Sequence, residues 1–210
     1  QKCSGHGSGG NQLRLAILSI MVPDKNGKFA NVILGHDSIE HVINSPEPFL
    51  STTIGRYGNR IANGKFTLYG EEHQLTVNNG PNSLHGGPTG FHARVWDAVQ
   101  PNESTVIFNY TSADGEEGFP GTLEVEMTYR LEDEANALVI EYRATTDKAT
   151  VVNLTNHGFF NLAGISNPSP TVLNNILTIN ADFYVPIDEV SIPTGEIQKV
   201  ENTPMDLCVE

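Results

Sequence analysis

At 210 residues the chain has a one-domain length, enough to bury a sizeable core without disulfides or a structural metal. Twelve Lys and Arg against 25 Asp and Glu leave a net charge of −13, a field that repels phosphate backbones and anionic headgroups and argues against a nucleic-acid or membrane-surface role. Only 18% of residues are charged while 20 Gly and 12 Pro supply turns, a balance that suits a loop-rich β protein better than a helical bundle.

Residues 1–10 are small and polar and read as a flexible leader to a domain over 11–210. Leu13 to Val22 is apolar and stops at the turn signal Pro23-Asp24-Lys25-Asn26-Gly27. Asn31 to Leu34 is a short apolar run, after which Asp37 or Ser38 caps one short helix. Lys65 to Leu68 and Glu72 to Val77 flank Tyr69-Gly70-Glu71 as a hairpin. Val95 to Gln100 and Thr105 to Tyr110 are the next strands.

Thr122 to Leu131 carries the clearest signal. Leu123, Val125, Met127, Tyr129 and Leu131 point one way, and Glu124, Glu126, Thr128 and Arg130 the other, which predicts one buried and one wet face. Leu138, Ile140 and Tyr142 repeat the alternation beyond the turn at 132–136. Thr150 to Thr155, Ile176 to Ile179 and Phe183 to Pro186 complete a count of about ten strands with no fixed-period repeat. Half-wet strands joined by turns predict an all-β fold, an antiparallel β-sandwich.

Cys3 and Cys208 form no Cys-x-x-Cys pair, which excludes a zinc ribbon or redox motif of the usual spacing; a bridge between them stays open. No apolar run approaches the ~18 residues of a membrane helix. A hydrophobic signal segment is absent too, but a mature chain has lost such a segment, so the compartment is open.

Three polar segments interrupt the strand pattern. In Gly55-Arg56-Tyr57-Gly58-Asn59-Arg60, forked Arg donors and an amide suit neighbouring hydroxyls on one ligand; a surface turn with solvated arginines competes. In Asn79-Gly80-Pro81-Asn82-Ser83-Leu84-His85-Gly86-Gly87, two glycines after His85 let backbone and ligand approach closely; an ordinary glycine-rich connection competes. In Asn153-Leu154-Thr155-Asn156-His157-Gly158-Phe159-Phe160-Asn161-Leu162, an imidazole sits among amides and aromatics, as a sugar site requires, or as a satisfied core histidine.

Other constellations fail. The chain has no phosphate-binding Gly-x-x-x-x-Gly-Lys-Ser/Thr loop, no His-Glu-x-x-His and no Gly-x-Ser-x-Gly, which excludes nucleotide binding of that kind and argues against a catalytic metal and a serine hydrolase elbow. Asp114-Gly115-Glu116-Glu117-Gly118 could suggest paired glycosidase carboxylates but is more simply a solvated loop.

Taken in order, the three segments resemble the aldose 1-epimerases, the galactose mutarotase family. The resemblance runs through Gly55 to Phe66, Asn82 to Gly87 and Asn156 to Leu162, with further similar stretches at Gly118-Phe119-Pro120-Gly121 and Pro186 to Gly195, and spans roughly residues 15–206. It implies a large antiparallel β-sandwich and interconversion of the α and β anomers of free hexoses, with a small aldose sugar as the partner. By the same resemblance, His157 is the general acid at the ring oxygen, His85 the second catalytic and substrate-binding histidine, and Asn59 and Arg60 the pair that holds hydroxyls. Mutarotation needs one group to take the C1 hydroxyl proton while another donates to the ring oxygen. An imidazole, with an ordinary pKa near 6.5, is matched to donate and recover a proton near neutrality, and the resemblance implies that no cofactor is required.

The family's catalytic base is a glutamate well beyond the position of Glu210, and a substrate-binding aspartate comes from that same later part. The resemblance therefore implies a sandwich incomplete at its C-terminal end and a chain with little or no turnover of its own. It also implies self-association, or a companion segment that completes the sandwich.

Overall fold

The computed structural model describes residues 12–13, 15–132, 134–166 and 171–207; the leader, Cys3, Cys208 and Glu210 lie outside them. The fold is all-β, as the alternation predicted. Its main sheet is five-stranded and antiparallel, in the order Gln12–Leu13, Trp96–Asn102, Thr105–Ser112, Leu123–Glu132, Ala137–Thr146. The other described strands form short antiparallel pairs, among them Thr53–Ile54 with Thr155–Asn156 and Arg60–Ile61 with Ser83–Leu84.

The alternation in Leu123–Glu132 decides which sheet face is covered. Leu123, Val125, Met127 and Tyr129 are buried, Glu124 is exposed, and Glu126 is only partly covered. Trp96, Ala98 and Phe108 join them from neighbouring strands, and Leu15, Ile17, Ile33 and Phe91, which lie outside that sheet's strands, close the same core. Burying such side chains is worth about 1.5–3 kcal/mol each, which makes this shared interior the main source of stability. A one-residue slip of the central strand would turn its whole apolar set to water.

Local chemistry explains the ends of the elements. Ser38 caps the Ile39–Asn44 helix, its hydroxyl accepting from the His41 N–H at 3.2 Å. Asp24 accepts from the Asn26 and Lys28 N–H groups in the turn that joins Met21–Pro23 to Phe29–Asn31. Pro101, with no N–H to give, sits where Trp96–Asn102 slips register against Thr105–Ser112.

Three strand assignments need correction. The hairpin turns on Tyr69-Gly70 alone, both at positive φ, and its second strand is Glu71–Gln74, not Glu72 to Val77. The Leu75 N–H still donates to the Gly64 carbonyl, but the Thr76 N–H turns to the Glu117 carbonyl, so the chain leaves its hairpin partner there. Thr150 to Thr155 is not one strand, because it changes partner. Asn153 bridges Tyr57 in parallel, and only Thr155–Asn156 pairs with Thr53–Ile54. Ile176 to Ile179 forms no strand: both of its faces are open, with Ile176 95% exposed, and among the described residues it pairs with no other strand. Phe183–Tyr184 is a strand, paired with Gln198–Lys199.

Candidate functional site

Two of these short pairs bring the polar segments together. Arg60–Ile61 pairs with Ser83–Leu84, which sets the Asn59 loop beside the His85 loop. Thr53–Ile54 pairs with Thr155–Asn156, and backbone bonds run from Ser51 N–H to His157 O at 3.0 Å and from His157 N–H to Thr52 O at 2.9 Å. Gly58, Asn59, Arg60, Leu84, His85, Asn153, Leu154, Thr155 and His157 thereby line one open cleft of about 550 Å³. His157, His85, Asn59 and Arg60 converge there.

The two imidazoles meet edge to face, with ring centroids 4.9 Å apart and planes at 86°. His85 Nδ1 accepts from the Asn59 N–H at 3.0 Å, so that nitrogen carries no proton and Nε2–H is the free donor. Burial, then the neighbouring His157, Arg60 and His92, pushes the His85 pKa down to about 4. Phe159 lies beside His157 with ring centroids 4.9 Å apart, as an aromatic flank.

His85 stands at φ 55°, a left-handed backbone conformation that is uncommon outside glycine. It is held by a bond from its own N–H to the Asn59 carbonyl at 3.0 Å. Gly86 follows at φ 84°, and a Cβ there would sit 1.9 Å from the Gly55 carbonyl oxygen. The two loops thus touch backbone to backbone, which only glycine permits at this position. Arg60 is aimed by its Nε–H donating to Asn79 Oδ1 at 2.8 Å, with Nη1 donating to Asn59 Oδ1 at 3.3 Å.

The structure divides the rest of the motif residues between site and scaffold. Arg56 is no ligand-binding arginine, since it is 2% exposed and its guanidinium is spent inside. Nε donates to Ser112 Oγ at 2.8 Å, Nη1 to Pro120 O at 3.0 Å, and Nη2 to the Ser112 and Ala113 carbonyls at 2.9 and 2.8 Å. Asn82 likewise faces inward, accepting from the Asn63 N–H. Asn156 donates to the Tyr129 hydroxyl at 3.3 Å and ties the cleft wall to the main sheet.

The acidic loop is neither a glycosidase pair nor merely solvated. Glu116 accepts from Tyr110 Oη at 2.6 Å and Ser112 Oγ at 2.9 Å, Glu117 receives the Thr89 N–H, and Asp114 pairs with Lys148. Its burial and the bond to Glu116 raise the Tyr110 pKa. These carboxylates fasten loops. Among the described residues none of the cleft-lining side chains is a carboxylate, and no three His, Cys, Asp or Glu side chains group as metal ligands.

Phe49 and His92 escaped the sequence reading. Phe49 packs against His85 and His92, both at 4.7 Å, and lies 6.4 Å from His157. Its one signal was an aromatic directly after Pro46-Glu47-Pro48, ahead of the Gly55 segment.

The sequence profile of the aldose 1-epimerase family matches residues 16–209. The galactose mutarotase of Bos taurus is 45% identical over 204 residues, a match covering 94% of this chain and 58% of that protein. The aldose 1-epimerase of Escherichia coli is 43% identical over 190 residues, covering 90% of this chain and 54% of that protein. The solved aldose epimerase homologue of C. elegans superposes with a TM-score of 0.82 at 36% identity, covering 90% of this chain and 56% of its own. The chain spans little more than half the length of the curated relatives it matches.

Proposed function

The chain belongs to the aldose 1-epimerase family, and from that premise we propose that its cleft carries the acid half of a mutarotase site for free hexoses such as glucose and galactose. The observation that carries this reading is the convergence of His157, His85, Asn59 and Arg60 on one cleft, with the two rings 4.9 Å apart.

In this reading His157 donates to the ring oxygen of the sugar. His85, a neutral Nε2–H donor, steadies the ring oxygen and anomeric region. Asn59 and Arg60 take hydroxyls, their donor directions set by Asn79 and by each other. Protonation of the ring oxygen with loss of the C1 hydroxyl proton opens the ring, C1 rotates, and reclosure on the other face inverts the anomer. The proton from C1 requires a base, and no carboxylate stands among the described cleft-lining residues. General base assistance is typically worth 10²–10⁴-fold. The 210-residue chain alone is therefore expected to turn over little.

That same lack favours one second reading, a sandwich that binds a sugar, or a partner chain, without turnover. Polarimetry of freshly dissolved α-D-galactose, with and without added formate as an external base, separates the two. The acid half-site predicts a formate-dependent rate that is greater for the wild type than for His157→Ala. Saturable sugar binding with identical rates for both proteins would establish the binding reading instead.

A further inference from the structure

Phe49 is built into the same scaffold as His157. Ser45 and Glu47 clamp the turn before it, Ser45 Oγ donating to Glu47 O at 2.9 Å and the Phe49 N–H donating to Glu47 Oε1 at 3.3 Å. The Phe49 carbonyl accepts from both Thr52 N–H and Thr52 Oγ1, at 3.1 and 3.0 Å. Thr52 is 2% exposed, and its own carbonyl accepts the His157 N–H at 2.9 Å. One buried residue thus fixes the aromatic ring and the proposed acid relative to each other.

The ring sits where it can govern the pair. It meets His85 edge to face at 4.7 Å and 67°, meets His92 in the same way at 4.7 Å and 65°, and lies tilted at 31° to His157, 6.4 Å away. His85 and His157 in turn meet at 86°. A flat apolar side chain against His85 also denies water to an imidazole that must stay neutral to accept the Asn59 N–H.

We propose that Phe49 is a positioning residue of this cleft: its ring sets the spacing and angle of His85 and His157 and keeps His85 a neutral Nε2–H donor. The proposal rests on the reading of the cleft as a sugar site, but its test does not require a sugar. The charged and titratable groups facing His85 are His157, Arg60 and His92, and Phe49 adds none, so exchanging it changes solvation and geometry rather than charge.

The experiment is a pH titration of the imidazole ¹⁵N resonances of the wild type, Phe49→Ala, Phe49→Leu and Phe49→Tyr, in the absence of sugar. In Phe49→Ala the His85 midpoint is expected to rise from about 4 toward 6.5 by more than about one unit, with His36, His41 and His73 unmoved. Phe49→Tyr, which keeps the ring, should restore the wild-type midpoint. If Phe49→Ala does not fold, Phe49→Leu, which fills volume without a flat ring, should shift in the same direction. A wild-type His85 titration in Phe49→Ala, or in Phe49→Leu if that variant has to stand in, overturns the proposal. Wild-type imidazoles that ignore galactose would remove the sugar reading and leave this result standing.

Discussion

The backbone of Asn59 holds His85 at both ends: its carbonyl accepts the His85 N–H at 3.0 Å, and its N–H donates to His85 Nδ1 at 3.0 Å. The second bond exists only while the imidazole is neutral. Folding therefore selects a tautomer as well as a position, and leaves Nε2–H as the donor to whatever enters the cleft.

This bond has a consequence for stability. His85 titrates near 6.5 when unfolded and at about 4 when folded, so between these values the unfolded chain binds more protons. Stability should be flat in this term above about pH 6.5 and fall by roughly 1–3 kcal/mol as pH drops toward 4. Urea unfolding at pH 7 and pH 5 should show a loss for the wild type that is smaller in His85→Asn. Equal losses would mean that His85 is not the group responsible.

Arg56 gives a second expectation, because a buried cation with four hydrogen bonds has no cheap substitute. Arg56→Ala leaves the Ser112, Ala113 and Pro120 carbonyls without their donor and should cost about 3–5 kcal/mol. Arg56→Lys should recover only part of this, since an ammonium lacks the planar fork. Urea midpoints within experimental error of the wild type would show that the network carries no stability.

Glycine substitutions separate strain from collision. Gly80 and Gly86 both have positive φ, but a Cβ at Gly80 meets nothing within 4 Å, while one at Gly86 would lie 1.9 Å from the Gly55 carbonyl oxygen. Gly80→Ala should cost about 1 kcal/mol, from backbone strain alone. Gly86→Ala should cost several times more and shift the His85 resonances as the two loops separate. Similar thermal midpoints for the two variants would contradict the backbone contact.

The sequence was most informative where side-chain period and function coincide. Leu123 to Tyr129 alternate so regularly that their burial follows from the pleat alone, and His85 and His157 stood out because each interrupts an ordinary pattern with amides and glycines. Residue type and spacing alone do not separate Arg56 from Arg60, and only the family resemblance singled out Arg60; the physical reason lies in partners elsewhere in the chain, Ser112 for Arg56 and Asn79 for Arg60. Phe49 was missed for the same reason, because its role lies in contacts with His85 and His92 that no local period encodes. Ile176 to Ile179 misled because an apolar run signals burial without saying against what.

The claim that this cleft receives a hexose is tested most directly by the imidazole ¹H–¹⁵N spectrum of the chain as D-galactose is added. His85 and His157 are expected to shift together and saturably, while His36, His41 and His73, which do not line the cleft, stay in place. A spectrum in which His85 and His157 do not respond, or in which these two drift alike with His36, His41 and His73, would contradict it.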